Sequence, residues 1–398
     1  MAEPEITQGQ RVYLPSLEGV RGYAFLLVFF AHYYAIPGAS VHVNHWLIPF
    51  LLLKRIAWLG VPIFFALSGY LIGGILFDTR NREGFFRVFY ARRFLRVFPV
   101  YYLTLLGVAC FDSIRGIHLN FNFWADFLYI QNLMPGYVGN YDAAPLSQTS
   151  HLWSMAVEEQ FYLLWPIVVW FCPDKRTLIK ATCILIGLCC LVRCSAYWIH
   201  LSPEYSYVTT PTRVDAILLG VLLALIRHDT IYKRLEPYAK YAAFAGVAIM
   251  VVIAARVPLE LPYTYALAAF EIPLVNLTSA AIIVSVLEEG SFLRNICSLR
   301  WICWFGSMSY ALYIFHFLYI EWFLTSFSQS LAVHMPTSPA YVLAAIVAFC
   351  LTLLLAVLSY RLIEGPAMHL KKRIKYGPVR NQEVSIAVTE PIFSRPDN

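Results

Sequence analysis

Residues 17–34, LEGVRGYAFLLVFFAHYY, are apolar over nearly the length that crosses a bilayer, yet they hold Arg21 and His32. A helix rises about 1.5 Å per residue, so about 20 apolar residues span the hydrocarbon core. A soluble protein that buried such a segment would need a charged surface around it, and the chain does not supply one. Of its 398 residues, 59% are hydrophobic and 14% charged, and the mean hydropathy is +0.62. Soluble domains carry about 25% charged residues. This composition excludes a cytosolic enzyme, a secreted disulfide scaffold and a disordered chain. Aromatic residues reach 16%, in keeping with Trp and Tyr at two membrane interfaces. The nine cysteines lie mostly in apolar runs (Cys183, Cys189, Cys190, Cys194, Cys350) and read as buried thiols, with no expected metal site.

Similar runs recur along the chain. Counting the first as 18–36, they continue at 56–77, 97–112, 152–172, 178–199, 211–227, 240–255, 264–287, 302–327 and 339–362. The expected fold is all-α, a polytopic transmembrane bundle of about ten spans. Residues 121–134, FNFWADFLYIQNLM, are interrupted by Asp126 and Asn132 and read as an interfacial or re-entrant piece. Residues 1–16 show no signal-peptide pattern, so the first run is expected to stay as a membrane helix. With the N-terminus inside, the 30 Lys and Arg all fall on the cytoplasmic side except Lys54, Arg55, Arg115, Arg193, Arg213 and Arg256. That bias predicts both termini in the cytoplasm. A transmembrane domain over 1–366 would be followed by a basic, then polar, tail over 367–398, lying loosely on the cytoplasmic face.

Three clusters could carry chemistry. Arg21 and His32 are eleven residues apart, which returns them to within about 20° on one helix face, roughly 16 Å apart along the axis. A histidine at that depth suits a general base; the alternative is a structural bond to a neighbouring helix. Next, RNREGFFRVFYARRFLR supplies Arg80, Arg82, Arg87, Arg92, Arg93 and Arg96 without one Lys. A plain cytoplasmic loop explains the sign but not the choice of arginine, whose planar fork fits phosphate; Arg93 and Arg96 share a helical face. Finally, SHLWSMAVEEQFYLLWP places Ser154, Glu158 and Tyr162 at four-residue spacing, with Glu159 beside them and His151 nearly in line. A helix-dipole role for the glutamates is the competing reading. Lesser features are GVPIFFALSGYLI with Ser68 and Gly69, which predicts a kink or a tight helix contact, and Arg213 and Asp215 at a helix start, read as a cap with a snorkelling arginine. Ser309 and His316 lie seven apart on one face, and YRLIEGP ends the last span.

Taken in order, these pieces resemble the acyltransferase 3 family of integral membrane O-acyltransferases. The resemblance runs from LPSLEGVRG to RLIEGP, through the Arg21 and His32 pair, GVPIFFALSGYLI, RRFLRVFP, WSMAVEEQFYLLWP, TRVDAILLG and SYALYIFHF. Met155 stands where the family usually has Leu, a conservative exchange. Some members carry an extra extracytoplasmic domain at the C-terminus; this chain, with its short tail, is expected to work without one. The resemblance implies transfer of an acyl group, usually acetyl, from cytoplasmic acyl-CoA to a hydroxyl of a surface polysaccharide, O-antigen or lipid-linked glycan at a bacterial inner membrane. Arg21, Arg93 and Arg96 would hold the donor's phosphates. His32 would be the base, and Glu158 would orient it or bind acceptor. Ser68, Trp153, Ser154, Glu159, Tyr162, Arg213, Asp215 and His316 complete the expected substrate-binding set. The expected partners are acyl-CoA, a glycan or glycolipid, and membrane lipids, but no nucleic acid. Acylation of a small metabolite such as a macrolide is the alternative within enzymes, and a flippase of a lipid-linked sugar the alternative outside them.

Overall fold

The first run forms α1 (Pro15–Tyr33) in the computed structural model, which describes residues 14–33, 48–116, 121–134, 147–195, 198–199, 203–256, 265–318 and 323–379. A short α2 (Ile48–Ile56) leads through a 3-10 turn into α3 (Gly60–Thr79). Gly84, in the left-handed conformation (φ 74°), turns the chain into the long α4 (Phe85–Ile114). This changes the reading of the arginine-rich stretch. Only residues 80–84 form a turn; from Phe85 no helix breaker intervenes before Pro99, so Arg87, Arg92, Arg93 and Arg96 ride on a helix rather than a loop.

The interrupted stretch 121–134 gives α5 (Phe121–Phe127) and a 3-10 turn. Asp126, Gln131 and Asn132 are wholly buried there, so the piece folds inward against the bundle. α6 (Trp153–Phe171) and α7 (Lys175–Cys194) follow. Asp174 caps α7, accepting a bond from the Thr177 amide at 2.8 Å, which holds its carboxyl below the usual range. Then come α8 (Pro203–Val208), α9 (Thr210–Ile226), α10 (Thr230–Arg256) and α11 (Tyr265–Leu287). The expected single span at 302–327 is broken. After α12 (Phe292–Cys297) come α13 (Arg300–Ser307), α14 (Ser309–Phe315) and α15 (Thr325–Ala332), with a break at Met308. α16 (Thr337–Ser359) passes through a π turn at Tyr360–Glu364 into α17 (Gly365–Arg373).

Among the described residues seven helices are long and apolar enough to cross a membrane. They match seven of the expected runs. The other three correspond to α1 and α6, which carry charges, and to the broken α13–α14 segment. The described residues form no strand beyond one bridge, Arg82 to Val379. Large apolar side chains such as Leu106, Leu163, Ile184, Leu191 and Phe244 lie exposed on the outside of the bundle, as lipid contact requires. The chain is a helical membrane bundle.

Helix approach is set by glycine. A Cβ on Gly69 of α3 would sit 1.8 Å from the Ile217 carbonyl oxygen of α9, and one on Gly220 of α9 would sit 1.9 Å from that of Ala66. The tight contact expected of residues 60–72 is therefore the α3–α9 seam. On its far side α9 is tied to α7 by a buried ion pair, Arg193 to Asp215 at 2.6 Å. Residues 367–379, expected to begin a loose tail, instead complete α17 and fold back. The Gly377 amide donates to the Glu83 carbonyl, the Glu83 amide to that of Pro378, and Arg92 Nε to that of Ile374 at 2.8 Å. Residues 380–398 lie outside the described residues.

Candidate active site

α1, α3, α4, α6 and α14 enclose a cavity between them. Its polar wall is Arg21, Ser68, Arg93, Arg96, Ser154, Glu158, Ser309, Tyr310 and Tyr313; its apolar wall is Val61, Phe64, Phe65, Val97 and Met155. The three arginines singled out as anion holders thus converge from two helices. Ser154 and Glu158, four apart on α6, both face in, as their spacing requires.

Each arginine already has a carboxylate. Arg21 pairs with Glu18 one turn back at 2.7 Å. Arg93 donates from Nε and Nη2 to one oxygen of Glu159, at 3.0 and 2.6 Å, stands 3.6 Å from Glu158, and stacks 3.7 Å over the Tyr162 ring. Arg96 lies 4.0 Å from Glu364. Glu158 accepts from Ser68 at 3.0 Å and from Tyr162 at 3.2 Å. His32 is not among its partners, so the geometry does not make Glu158 the residue that orients His32.

That place belongs to His316. His32 sits in the last turn of α1, where its Nδ1 lies 2.9 Å from the Val28 carbonyl and 3.2 Å from His316 Nε2. His316 Nδ1 faces the Tyr313 carbonyl at 2.6 Å. A carbonyl only accepts, so His316 carries its proton on Nδ1 and offers a bare Nε2. His32 then carries its proton on Nδ1, shared between Val28 and His316. Its Nε2 is left bare and, among the described residues, without a hydrogen-bond partner. A third ring, His151, lies 5.0 Å from His316. Its Nε2 faces the Ile314 carbonyl at 3.2 Å, and its buried Nδ1 has no hydrogen-bond partner. One nitrogen of each ring is turned toward a backbone carbonyl. Among the described residues no group of His, Cys, Asp or Glu could hold a metal ion.

Tyr313 joins the histidines to the cavity. Its hydroxyl and that of Ser154 stand 2.5 Å apart, and both lie within donating distance of the His151 carbonyl, at 3.0 and 3.3 Å. The sequence reading missed Tyr313 and Tyr310, although their spacing from Ser309 and His316 in SYALYIFHF was the available signal. It also placed His151 in line with the α6 face, whereas the chain there is a 3-10 turn, Ser147–Leu152, ahead of the helix.

Arg213 and Asp215 take places other than a cap with a snorkelling arginine. Arg213 is wholly buried, its guanidinium 4.9 Å from the Tyr207 ring, 5.9 Å from that of Trp153 and 6.0 Å from that of Phe65. Asp215 is taken by Arg193. Arg213 is not part of the cavity wall, but Phe65, one of the rings around it, is.

Known proteins resemble this chain over most of its length. The chain is 30% identical over 383 residues to YrhL of Bacillus subtilis, covering 90% of this chain and 55% of that protein. It is 28% identical over 393 residues to the peptidoglycan O-acetyltransferase OatA of Listeria monocytogenes, covering 90% and 56%. Against the O-acetyltransferase OatA of Staphylococcus aureus the identity is 27% over 383 residues, covering 89% and 57%. The chain therefore spans about half the length of the curated relatives it matches. No solved structure matches it. The model of the acyltransferase domain matches residues 14–361, so the chain belongs to the acyltransferase 3 family.

Proposed function

We propose that this protein is a membrane O-acetyltransferase that takes acetyl from cytoplasmic acetyl-CoA and delivers it to a hydroxyl of a cell-envelope glycan. One observation carries the reading: a cavity with three arginines in its wall, Arg21, Arg93 and Arg96, is joined by hydrogen bonds through Ser154, Tyr313 and His316 to His32, whose Nε2 is bare. Arginine forks suit the donor's phosphates. The bare Nε2 of His32 suits removal of a hydroxyl proton as that oxygen attacks the thioester carbonyl, with coenzyme A thiolate leaving. His316 fixes the tautomer that keeps Nε2 free. Arg21 and His32 are roughly 16 Å apart along α1, so phosphates and thioester lie at opposite ends of one helix, as the pantetheine arm of the donor demands.

The Listeria monocytogenes relative, a peptidoglycan O-acetyltransferase, makes peptidoglycan the first acceptor to try, ahead of O-antigen or another lipid-linked glycan. The basic end of the bundle would face the cytoplasm of a bacterial inner membrane, with both termini inside. Reporter fusions after Ser40 and at Asn398 should then give opposite answers. The activity test uses protein in oriented vesicles with labelled acetyl-CoA and glycan strands. Coenzyme A release coupled to alkali-labile acetyl on the glycan is the expected result. Label that stays on acetyl-CoA with every glycan class, while the protein remains folded, overturns the proposal.

A further inference from the structure

The three cavity arginines are held very differently. Arg93 is locked: two of its nitrogens bind Glu159, a second carboxylate stands close, and Tyr162 stacks against its face. Arg96 is held by little. Its nearest carboxylate is Glu364 at 4.0 Å, beyond hydrogen-bond reach, and its side-chain bond to Met368 Sδ at 3.8 Å is weak. Glu364 is 3% exposed, and neither of its carboxylate oxygens has a hydrogen-bond partner. A buried carboxylate without donors is costly unless a nearby charge compensates it. Glu364 also occupies the π turn between α16 and α17, and such turns often mark functional positions.

Resting on the acetyl-CoA reading above, we infer that Glu364 is the resting counter-charge of Arg96, a positioning residue that holds this guanidinium loosely until a donor phosphate takes it. Arg96 is the arginine that grips the donor, and Arg93 is a fixed strut that places Glu158 and Glu159. A phosphate approaching Arg96 meets a guanidinium whose charge is compensated but whose fork is unoccupied. It can bind without breaking a hydrogen-bonded pair. At Arg93 the same phosphate would have to displace Glu159 and leave a buried carboxylate unpaired, a large loss.

The inference fixes a sign. If Glu364 competes for Arg96, removing its charge strengthens donor binding; if the pair were needed to build the site, removal would weaken it. Donor KM and kcat are measured with acetyl-CoA in vesicles for wild type, Glu364→Gln, Glu364→Asp, Arg93→Lys and Arg96→Lys. Stabilisation against heat by coenzyme A alone reads binding without turnover. From the loss of one charge near the phosphate site, Glu364→Gln should lower donor KM by about three- to ten-fold, with kcat nearly unchanged. Glu364→Asp, which draws the carboxylate back by one methylene and keeps the fold's charge balance, should move KM the same way by less. Arg96→Lys should raise KM, whereas Arg93→Lys should fall mainly on kcat. An unchanged or raised KM in both Glu364 variants overturns the inference. So does a larger KM effect at Arg93 than at Arg96. A wild type that neither turns over acetyl-CoA nor is stabilised by coenzyme A overturns the donor reading instead, and the inference with it.

Discussion

Gly69→Ala is the sharpest test of how the bundle holds its cavity. The new methyl would lie 1.8 Å from the Ile217 carbonyl oxygen. Carbon–oxygen contacts normally stop at about 3.3 Å, so α3 and α9 must separate locally by about 1.5 Å. The obstacle is backbone on a helix already tied to α7 by Arg193 and Asp215, so α3 is the side that gives. α3 carries Ser68, the donor to Glu158, and Val61, Phe64 and Phe65 of the cavity wall. Overpacking of this kind costs about 1–3 kcal/mol. A displacement of about 1 Å can cost roughly a hundred-fold in rate. We expect melting in detergent to fall by several degrees and acetyl transfer to fall further than stability explains. Gly187→Ala on α7 is the internal control: nothing lies within 4 Å of its added Cβ, and helix propensity alone favours alanine by about 1 kcal/mol. If Gly69→Ala melts and turns over like wild type, the close seam does not set the position of Ser68.

Other outcomes follow from the same geometry. His32→Gln should abolish transfer while coenzyme A still stabilises the protein, because glutamine cannot take up a proton; near-wild-type turnover would make His32 structural. Asp215→Asn should destabilise by about 3–5 kcal/mol, as expected when a buried pair is broken. The double variant Arg193→Met with Asp215→Leu should recover most of that loss, and a chemical-denaturation cycle that shows simple additivity would refute the pairing. Asp174→Ala should lower the melting temperature at neutral pH. Because folding depresses the Asp174 carboxyl, its contribution is present above the ordinary carboxylate range and lost as pH falls through the lowered value. The two proteins should therefore converge in strong acid; a difference that persists there would point to lost packing at residue 174 instead.

The span pattern was legible because bilayer burial leaves long apolar runs, and seven of the runs became long apolar helices. Hydropathy also found α1 and α6 despite their charges. It could not see the break at Met308, since windowed apolarity is blind to where a helix stops. The arginine-rich stretch read as a loop because charge suggested exposure, while its propensity and lack of breakers made it helical. Arg21, Arg93, Arg96, Ser154 and Glu158 were found from spacing, which is local information. Their partners were not. Glu158 was matched with His32, whereas Ser68 and Arg93 take it. Glu364 read as a helix end, and Arg213 as snorkelling. Partner choice depends on which helices touch, and no spacing rule within one helix contains that.

Arg21 finds its counter-charge in Glu18, made just before it, but Arg93 and Arg96 are compensated by residues made much later. Glu159 follows Arg93 by 66 residues, and Met368, beside Glu364, follows Arg96 by 272. At roughly 5–20 residues per second of synthesis, Arg93 waits several seconds for its partner and Arg96 waits on the order of tens of seconds. During that time α4 sits in the inserting chain before the partners that Arg93 and Arg96 take in the folded protein have been made. A ribosome that stalls before residue 364 leaves Arg96 without its nearest carboxylate. Such a product is a natural target for membrane quality control.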